Sequence, residues 1–524
     1  MSEAKRGLRG KVLEGLAALV AGGLFSLGFL PAPGGFAGAA LCALGLALLF
    51  LCIGHAASAR GCALRSLLFG LAAYSAGLFW VWNSLHVYGG IPAPLAAAGV
   101  LALAFANALF PAAAGFAAGK LSGSGPRRIL LFALLFFFAD WLRGDALCSF
   151  PWVSFGYALS GLAPARLIAP LAGAWGVELA GILFVAIFAT LFVIKNSKSQ
   201  LSAAAALVVM AMLACLPAPR WSEPGDALQI RIVQPALPIA GVPGAPSMPF
   251  AERIARALAL SSFENGAQPP AKRLVVWPES VIPALIQEIP GRLLDPIADA
   301  VRKSGTPLVF NAFWLTSAGG VSNSLFLASP DAPLQRYDKR HLVPFGEYVP
   351  TGFRWLVDAL HIPMGDQTPG APDQKPLLFR NTVIAPMICY ENLFGDELRA
   401  FWKRAESPAE IPGMLLVSSN LGWFSPAVEH QHLQMSRMRA IETARPLVSA
   451  SNNGLSAVID PQGRVIAALG EGAGSLEVRL EAAAGGTTPY SRLGDAPALL
   501  LALALLAALL AAGRRANAKR AARI

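Results

Sequence analysis

Charge is scarce in this chain. Asp, Glu, Lys and Arg make up 14% of its 524 residues, where soluble domains carry about 25%. Acids are the scarcer sign, 31 against 42 Lys and Arg. With 55% apolar residues and a mean hydropathy of +0.54, this excludes an ordinary soluble chain and points to a polytopic membrane protein. Cysteine is equally sparse. Six thiols without a CxxC spacing support neither a disulfide framework nor a zinc site. The histidines of Glu429-His430-Gln431-His432 are two apart and do not share a helix face, so they make no metal pair either. No metal and no cofactor are expected. The apolar runs also hold few charges of the kind that mark an ion pathway, which argues against a transporter.

Long apolar runs are what the sequence has in quantity. Eight of them, at approximately 12–30, 36–54, 66–85, 93–116, 129–142, 168–194, 202–217 and 496–512, read as transmembrane helices. Basic residues gather before the first run (Lys5, Arg6, Arg9, Lys11), between the second and third (Arg60, Arg65), the fourth and fifth (Lys120, Arg127, Arg128) and the sixth and seventh (Lys195, Lys198), and after the eighth (Arg514, Arg515, Lys519). All fall on one side of an eight-span topology, which is the positive-inside pattern. The formal charge of +11 therefore reports topology and gives no ground for a nucleic-acid partner. Both termini are expected in the cytoplasm. The expected domains are a membrane domain with seven spans at 1–217, a periplasmic domain at 218–490, and the eighth span with a basic tail at 491–524.

Two loops on the outer side are rich in aromatics: Trp80 to Gly89, and the stretch from Asp140-Trp141-Leu142-Arg143 to Phe150-Pro151-Trp152-Val153-Ser154-Phe155-Gly156-Tyr157. An interfacial aromatic belt is the simpler reading; a lipid-facing entrance is the sharper one. Glu178, an acid within a span, either pairs with an inward polar group or carries function.

From Ala227 onward, short β-rich runs alternate with helical ones. Runs such as Met414-Leu415-Leu416-Val417 lack polar alternation, so they predict strands buried on both faces of a layered α/β domain. One such run, Thr382 to Ile388, ends in Cys389, the only cysteine of 218–490. A thiol at the end of a strand is either a small buried hydrophobe or a nucleophile held on a sharp turn. A thiol of ordinary pKa is mostly protonated at neutral pH, so a working one needs a base and a cation for the oxyanion. Glu279 after Leu274-Val275-Val276-Trp277-Pro278 and Lys339 after Gln335-Arg336-Tyr337-Asp338 are the candidates.

Val276-Trp277-Pro278-Glu279, then Tyr337-Asp338-Lys339-Arg340-His341-Leu342-Val343-Pro344-Phe345-Gly346-Glu347-Tyr348, then Ile388-Cys389-Tyr390-Glu391 resemble the Glu-Lys-Cys arrangement of the nitrilase superfamily. Together with the multi-span first half, the whole chain resembles the bacterial apolipoprotein N-acyltransferases. That resemblance implies a nitrilase-like αββα sandwich beside eight transmembrane helices, in the inner membrane. It implies Cys389 as nucleophile, Glu279 as general base and acid, Lys339 as the oxyanion cation, and Glu347, Tyr390 and Glu391 as supporting residues. Trp277, Trp423 and Phe424 fall where the family places a substrate entrance. The implied reaction moves an acyl chain from a membrane phospholipid, through a cysteine thioester, to the α-amine of a diacylated apolipoprotein, with membrane lipids as the surroundings and a monomer as the working form. A membrane-anchored amidase acting on a small amide is the alternative.

Overall fold

The computed structural model describes residues 3–31, 35–239, 248–263, 272–359, 365–424 and 426–521. It divides into two compact units, one of Met1–Pro219 with Leu493–Ile524 and one of Arg220–Arg492.

The first unit is helical. Among the described residues, six helices are long and apolar enough to cross a membrane: Gly10–Phe29, Gly35–Gly54, Ala93–Leu121, Ala163–Thr190, Ser197–Ala214 and Ala496–Ala516. A seventh span arises if Ala59–Gly77 and Val81–Tyr88, bent by 58°, count as one. The run expected at 129–142 forms the helix Pro126–Trp141, whose 16 residues fall short of a full span before the chain turns into a π-helical turn at Leu142–Ala146. The helix Ala163–Thr190 is broken in its middle. Pro170 removes a backbone donor, and Gly173, at φ +68°, takes a conformation that a side chain would resist.

The break lies beside a buried polar cluster that the sequence only hinted at. Arg143, with no exposed surface, donates from Nε to Asp140 Oδ1 at 2.8 Å, and its other nitrogens reach Asn107 Oδ1, the carbonyls of Phe150 and Trp152, and Ser154 Oγ at 2.8 to 3.2 Å. Its guanidinium also lies over the Tyr74 ring. Glu178 finds its partner here, accepting from the Gly156 N–H at 3.2 Å. Arg143 thus ties down the stretch 150–154. Trp152, Phe155 and Tyr157 are consequently buried inside this unit, and Trp152 packs edge-on against Trp80. The later part of the second aromatic loop, Pro151 to Tyr157, is therefore core, while Trp141 and Phe150 stay partly exposed. Arg143→Leu leaves the Asp140 carboxylate buried without its cation, and is expected to cost roughly 3–5 kcal/mol, read as a lowered thermal midpoint in detergent.

The second unit is built on two six-stranded sheets. The strands are β1 (Glu223–Gln234), β2 (Arg273–Val276), β3 (Leu308–Leu315), β4 (Val321–Ser329), β5 (Ala332–Asp338), β6 (Leu377–Phe379), β7 (Thr382–Ile388), β8 (Met414–Ser419), β9 (Leu447–Ser451), β10 (Ser456–Ile459), β11 (Val465–Leu469) and β12 (Gly474–Ala484). Their orders are β12-β1-β2-β3-β4-β5 and β11-β10-β9-β8-β7-β6. Each sheet has parallel strands at its centre, β1-β2-β3 and β7-β8-β9, with antiparallel strands outside them.

Alternation explains the layering. Leu228, Ile230 and Ile232 on β1, with Leu274 and Val276 on β2, share one core cluster with Met387, Leu415, Val417 and Val448 of the other sheet. The opposite set, Val233, Val275 and Trp277, packs in a second cluster with Ile254 and Ala257 of the helix Phe250–Ser261 and Ile297 and Val301 of the helix Gly291–Ser304. All of β7 and β8 is buried, as expected for central strands covered on both faces. The two sheets thus face each other across one core with helices packed outside, the layered arrangement that the resemblance implies. Strand β6 was not legible, and of β5 only Gln335–Asp338 read as strand-like: β5 is a largely exposed, Pro333-containing edge strand with little apolar signal.

Candidate active site

Three strand ends and one loop assemble the site. Glu279 lies three residues past β2, buried, and is followed by Ser280 at φ +66°. Its Oε1 accepts from Asn323 Nδ2 at 2.8 Å, and its Oε2 accepts from the Asn420 backbone N–H, one residue past β8, at 3.0 Å. Lys339 directly follows β5 and is 1% exposed. Its backbone is fixed on both sides, donating to the Asn323 carbonyl at 2.8 Å and accepting from the Gly370 N–H at 2.7 Å. Its ammonium lies 2.7 Å from Glu347 Oε1 and 3.9 Å from Glu279 Oε1. Glu347 is oriented by its other oxygen, which accepts from the Val343 N–H at 2.7 Å.

Cys389 directly follows β7, at φ +51°. A non-glycine residue held in the left-handed region is strained, and the surroundings must impose it. Glu391 does much of this. Buried under the turn, it accepts from the Ile388 N–H at 2.7 Å, the Arg340 N–H at 2.7 Å and the Tyr337 hydroxyl at 2.9 Å. One carboxylate therefore joins the end of β7 to the segment that carries Lys339. Tyr390 is buried against Phe394, which stacks on His341 at 3.7 Å.

The electrostatics follow from two buried carboxylates around one cation. Burial pushes the Glu279 carboxyl up; Lys339 pulls it back, Glu347 pushes it further, and the Asn323 and Asn420 donors pull it down, with the net shift upward. Burial alone would lower the Lys339 ammonium, but Glu347 and Glu279 outweigh it, so the lysine stays charged. The half-buried Cys389 thiol is raised, first by burial and then by the negative Glu279, with Lys339 and the Asn420 N–H opposing. The resting site sets a protonated thiol within the electrostatic influence of a carboxylate and an ammonium.

Of the residues singled out in the sequence, Glu279, Lys339, Glu347 and Cys389 come together, and Tyr390 and Glu391 flank them. Trp423 is partly exposed and Phe424 half-buried, three and four residues beyond Asn420. Trp277 lies elsewhere than at an entrance: it is fully buried in the core behind Glu279, with Nε1 donating to Ser261 Oγ at 2.7 Å. Two residues escaped the sequence reading. Asn323 touches both carboxylates, at 2.8 and 3.4 Å, and is itself held by Asn311; an asparagine in a strand carries no catalytic signal. Asn420 acts through its backbone, which no side-chain pattern reveals.

Fold and site together define a carbon–nitrogen hydrolase domain, and the family model described as carbon-nitrogen hydrolase matches residues 239–490. A second model, the apolipoprotein N-acyltransferase N-terminal domain, matches residues 21–187. Curated apolipoprotein N-acyltransferases are similar over most of the chain. That of Bordetella bronchiseptica is 38% identical over 88% of this chain and 90% of its own, and that of Ralstonia nicotianae is 38% identical over 86% and 85%. A CN-hydrolase superfamily protein from Xanthomonas campestris, of known structure, aligns with 52% of this chain and 97% of its own at 21% identity and a TM-score of 0.37. The chain belongs to the apolipoprotein N-acyltransferase family, and it is a membrane protein.

Proposed function

We propose that this protein transfers an acyl chain from a membrane phospholipid to the α-amine of a diacylglyceryl-cysteine at the head of an apolipoprotein, in two half-reactions on Cys389. The observation that carries the chemistry is Lys339 held between Glu279 and Glu347 beside a strained cysteine. In the first half, Glu279 takes the thiol proton and sulfur attacks the ester carbonyl. The oxyanion forms beside Lys339, then collapses to a thioester as the lysophospholipid leaves with the proton from Glu279. In the second, the free amine attacks the thioester, Glu279 accepts its proton, and the thiol is regenerated as the amide forms. Glu347 keeps Lys339 charged and aimed; Glu391 and Tyr390 hold the turn; Trp423 and Phe424 line the approach.

The apolipoprotein N-acyltransferase model over residues 21–187 favours this reading over a membrane-anchored amidase. The full topology is eight spans, counting the bent pair as one and Pro126–Trp141 together with its π-helical continuation to Ala146 as another, with 218–490 on the periplasmic side and both termini cytoplasmic. The one-sided basic clusters support it.

The test is incubation of the purified protein in detergent with phospholipid and a diacylated lipopeptide, followed by mass spectrometry. An acyl adduct on Cys389 and a triacylated product are expected; a folded protein giving neither would sink the proposal. Adduct formation should also fall on acidification earlier than an ordinary glutamate of pKa about 4.3 would dictate, because Glu279 must be ionised to act and its pKa is raised. Single-turnover rates against pH check this: a rate independent of pH through that range removes Glu279 as the base.

A further inference from the structure

The two histidines that make no metal pair leave one buried imidazole unaccounted for. His432, on the helix Pro426–Thr443, is 3% exposed, and its Nε2 lies 3.3 Å from the Cys389 carbonyl. A carbonyl can only accept, so this contact is a hydrogen bond only if Nε2 carries the proton. Donor counting supports that tautomer. Asn392 Nδ2 also lies 3.3 Å from Nε2, but its two hydrogens already have acceptors in Ser436 Oγ at 2.8 Å and the His432 carbonyl at 3.2 Å. The ring nitrogen is left to donate to Cys389. Burial holds the imidazole pKa down to about 4, against a smaller opposing effect of that carbonyl, so the ring is neutral at working pH and adds no charge beside Glu279 and Lys339.

We infer that His432 is a positioning residue, whose Nε2–H grips the carbonyl of Cys389 and so fixes the left-handed turn that presents the thiol. The Cys389–Tyr390 peptide is planar and trans. Its Tyr390 N–H points opposite to the carbonyl, so one bond from His432 sets the direction of both groups, on the far side of the Cα whose φ is +51°. Glu391 holds the turn from its Ile388 side, and His432 holds the carbonyl that follows. The inference rests on Cys389 being the reactive thiol, and its test does not require acyl transfer.

The test compares His432→Gln with His432→Asn in the full-length protein. Glutamine places an amide N–H near the position of Nε2, whereas asparagine falls short of it by one methylene. The readout is the rate at which iodoacetamide alkylates Cys389, followed peptide by peptide, with the exposed Cys148 and Cys215 as internal references. His432→Asn is expected to alkylate about tenfold more slowly, and His432→Gln within about twofold of wild type, at equal thermal midpoints. Equal rates for the two variants, or a loss that simply follows the thermal midpoint, would overturn the assignment. A wild-type protein that takes no acyl adduct refutes the acyltransferase reading instead, while the alkylation contrast still decides the role of His432.

Discussion

Cys389→Ala is expected to abolish both the acyl adduct and the triacylated product, a fall of at least about 10,000-fold, while leaving the fold intact. The second half of that statement comes from the electrostatics. Because burial and Glu279 keep the thiol protonated, the substitution removes a neutral, half-buried group and leaves the ion cluster of Glu279, Lys339 and Glu347 in place. The expected thermal midpoint is within a few degrees of wild type. Residual product from Cys389→Ala, above what wild-type contamination explains, would mean that the amine attacks the phospholipid ester directly. The thioester route would then be wrong even with every other residue correctly placed.

Lys339→Met is expected to be as damaging to turnover and, unlike the cysteine variant, to the fold. Methionine fills much of the same space but leaves Glu279 and Glu347 buried with no cation between them. Breaking a buried pair in this way costs roughly 3–5 kcal/mol. The pH dependence of that loss identifies its cause. With Lys339 gone, the Glu279 pKa rises further above the unfolded value of about 4.3, so the folded state binds a proton that the unfolded chain releases. Stability of the variant should therefore be greatest below that unfolded pKa and decline as pH rises toward the folded one. A loss independent of pH would point to packing, not to two unneutralised carboxylates. Turnover should fall at least about 1,000-fold, since an oxyanion donor alone is worth about 100–1,000-fold and the charge state of Glu279 is disturbed as well.

The legible parts of this protein were those written in periodicity and in contiguous residues. Unbroken apolar runs such as Met414-Leu415-Leu416-Val417 announced central strands, and the long run around Lys339 brought Glu347 with it. What failed to show lies in three-dimensional closure. Strand β5 is mostly exposed and only its last four residues, Gln335–Asp338, read as strand-like, yet it delivers Lys339. Asn323 projects from the middle of β4, and Asn420 contributes only a backbone N–H. Trp277 follows a strand beside a catalytic candidate, so it reads as part of the site; alternation turns it to the opposite face, into the helix-covered core. In the helical unit, hydropathy marked the runs but not their interruptions. The break at Gly173 comes with Pro170 just before it, and the 16-residue helix Pro126–Trp141 ends beside Asp140 and Arg143, whose partners are few, polar and scattered in sequence.

Strand β1 pairs on one side with β12, Gln234 opposite Gly474, so its outer edge stays open until roughly 240 more residues have been made. At about 5–20 residues per second, that is a wait of roughly 12–48 seconds. Throughout that interval β1 can pair with β2 along one edge while its other edge has no strand beside it. Glu279, on the first sheet, meets Cys389, on the second, only through the packing of both. A chain made only as far as β11 therefore still lacks the strand that closes the sheet carrying Glu279.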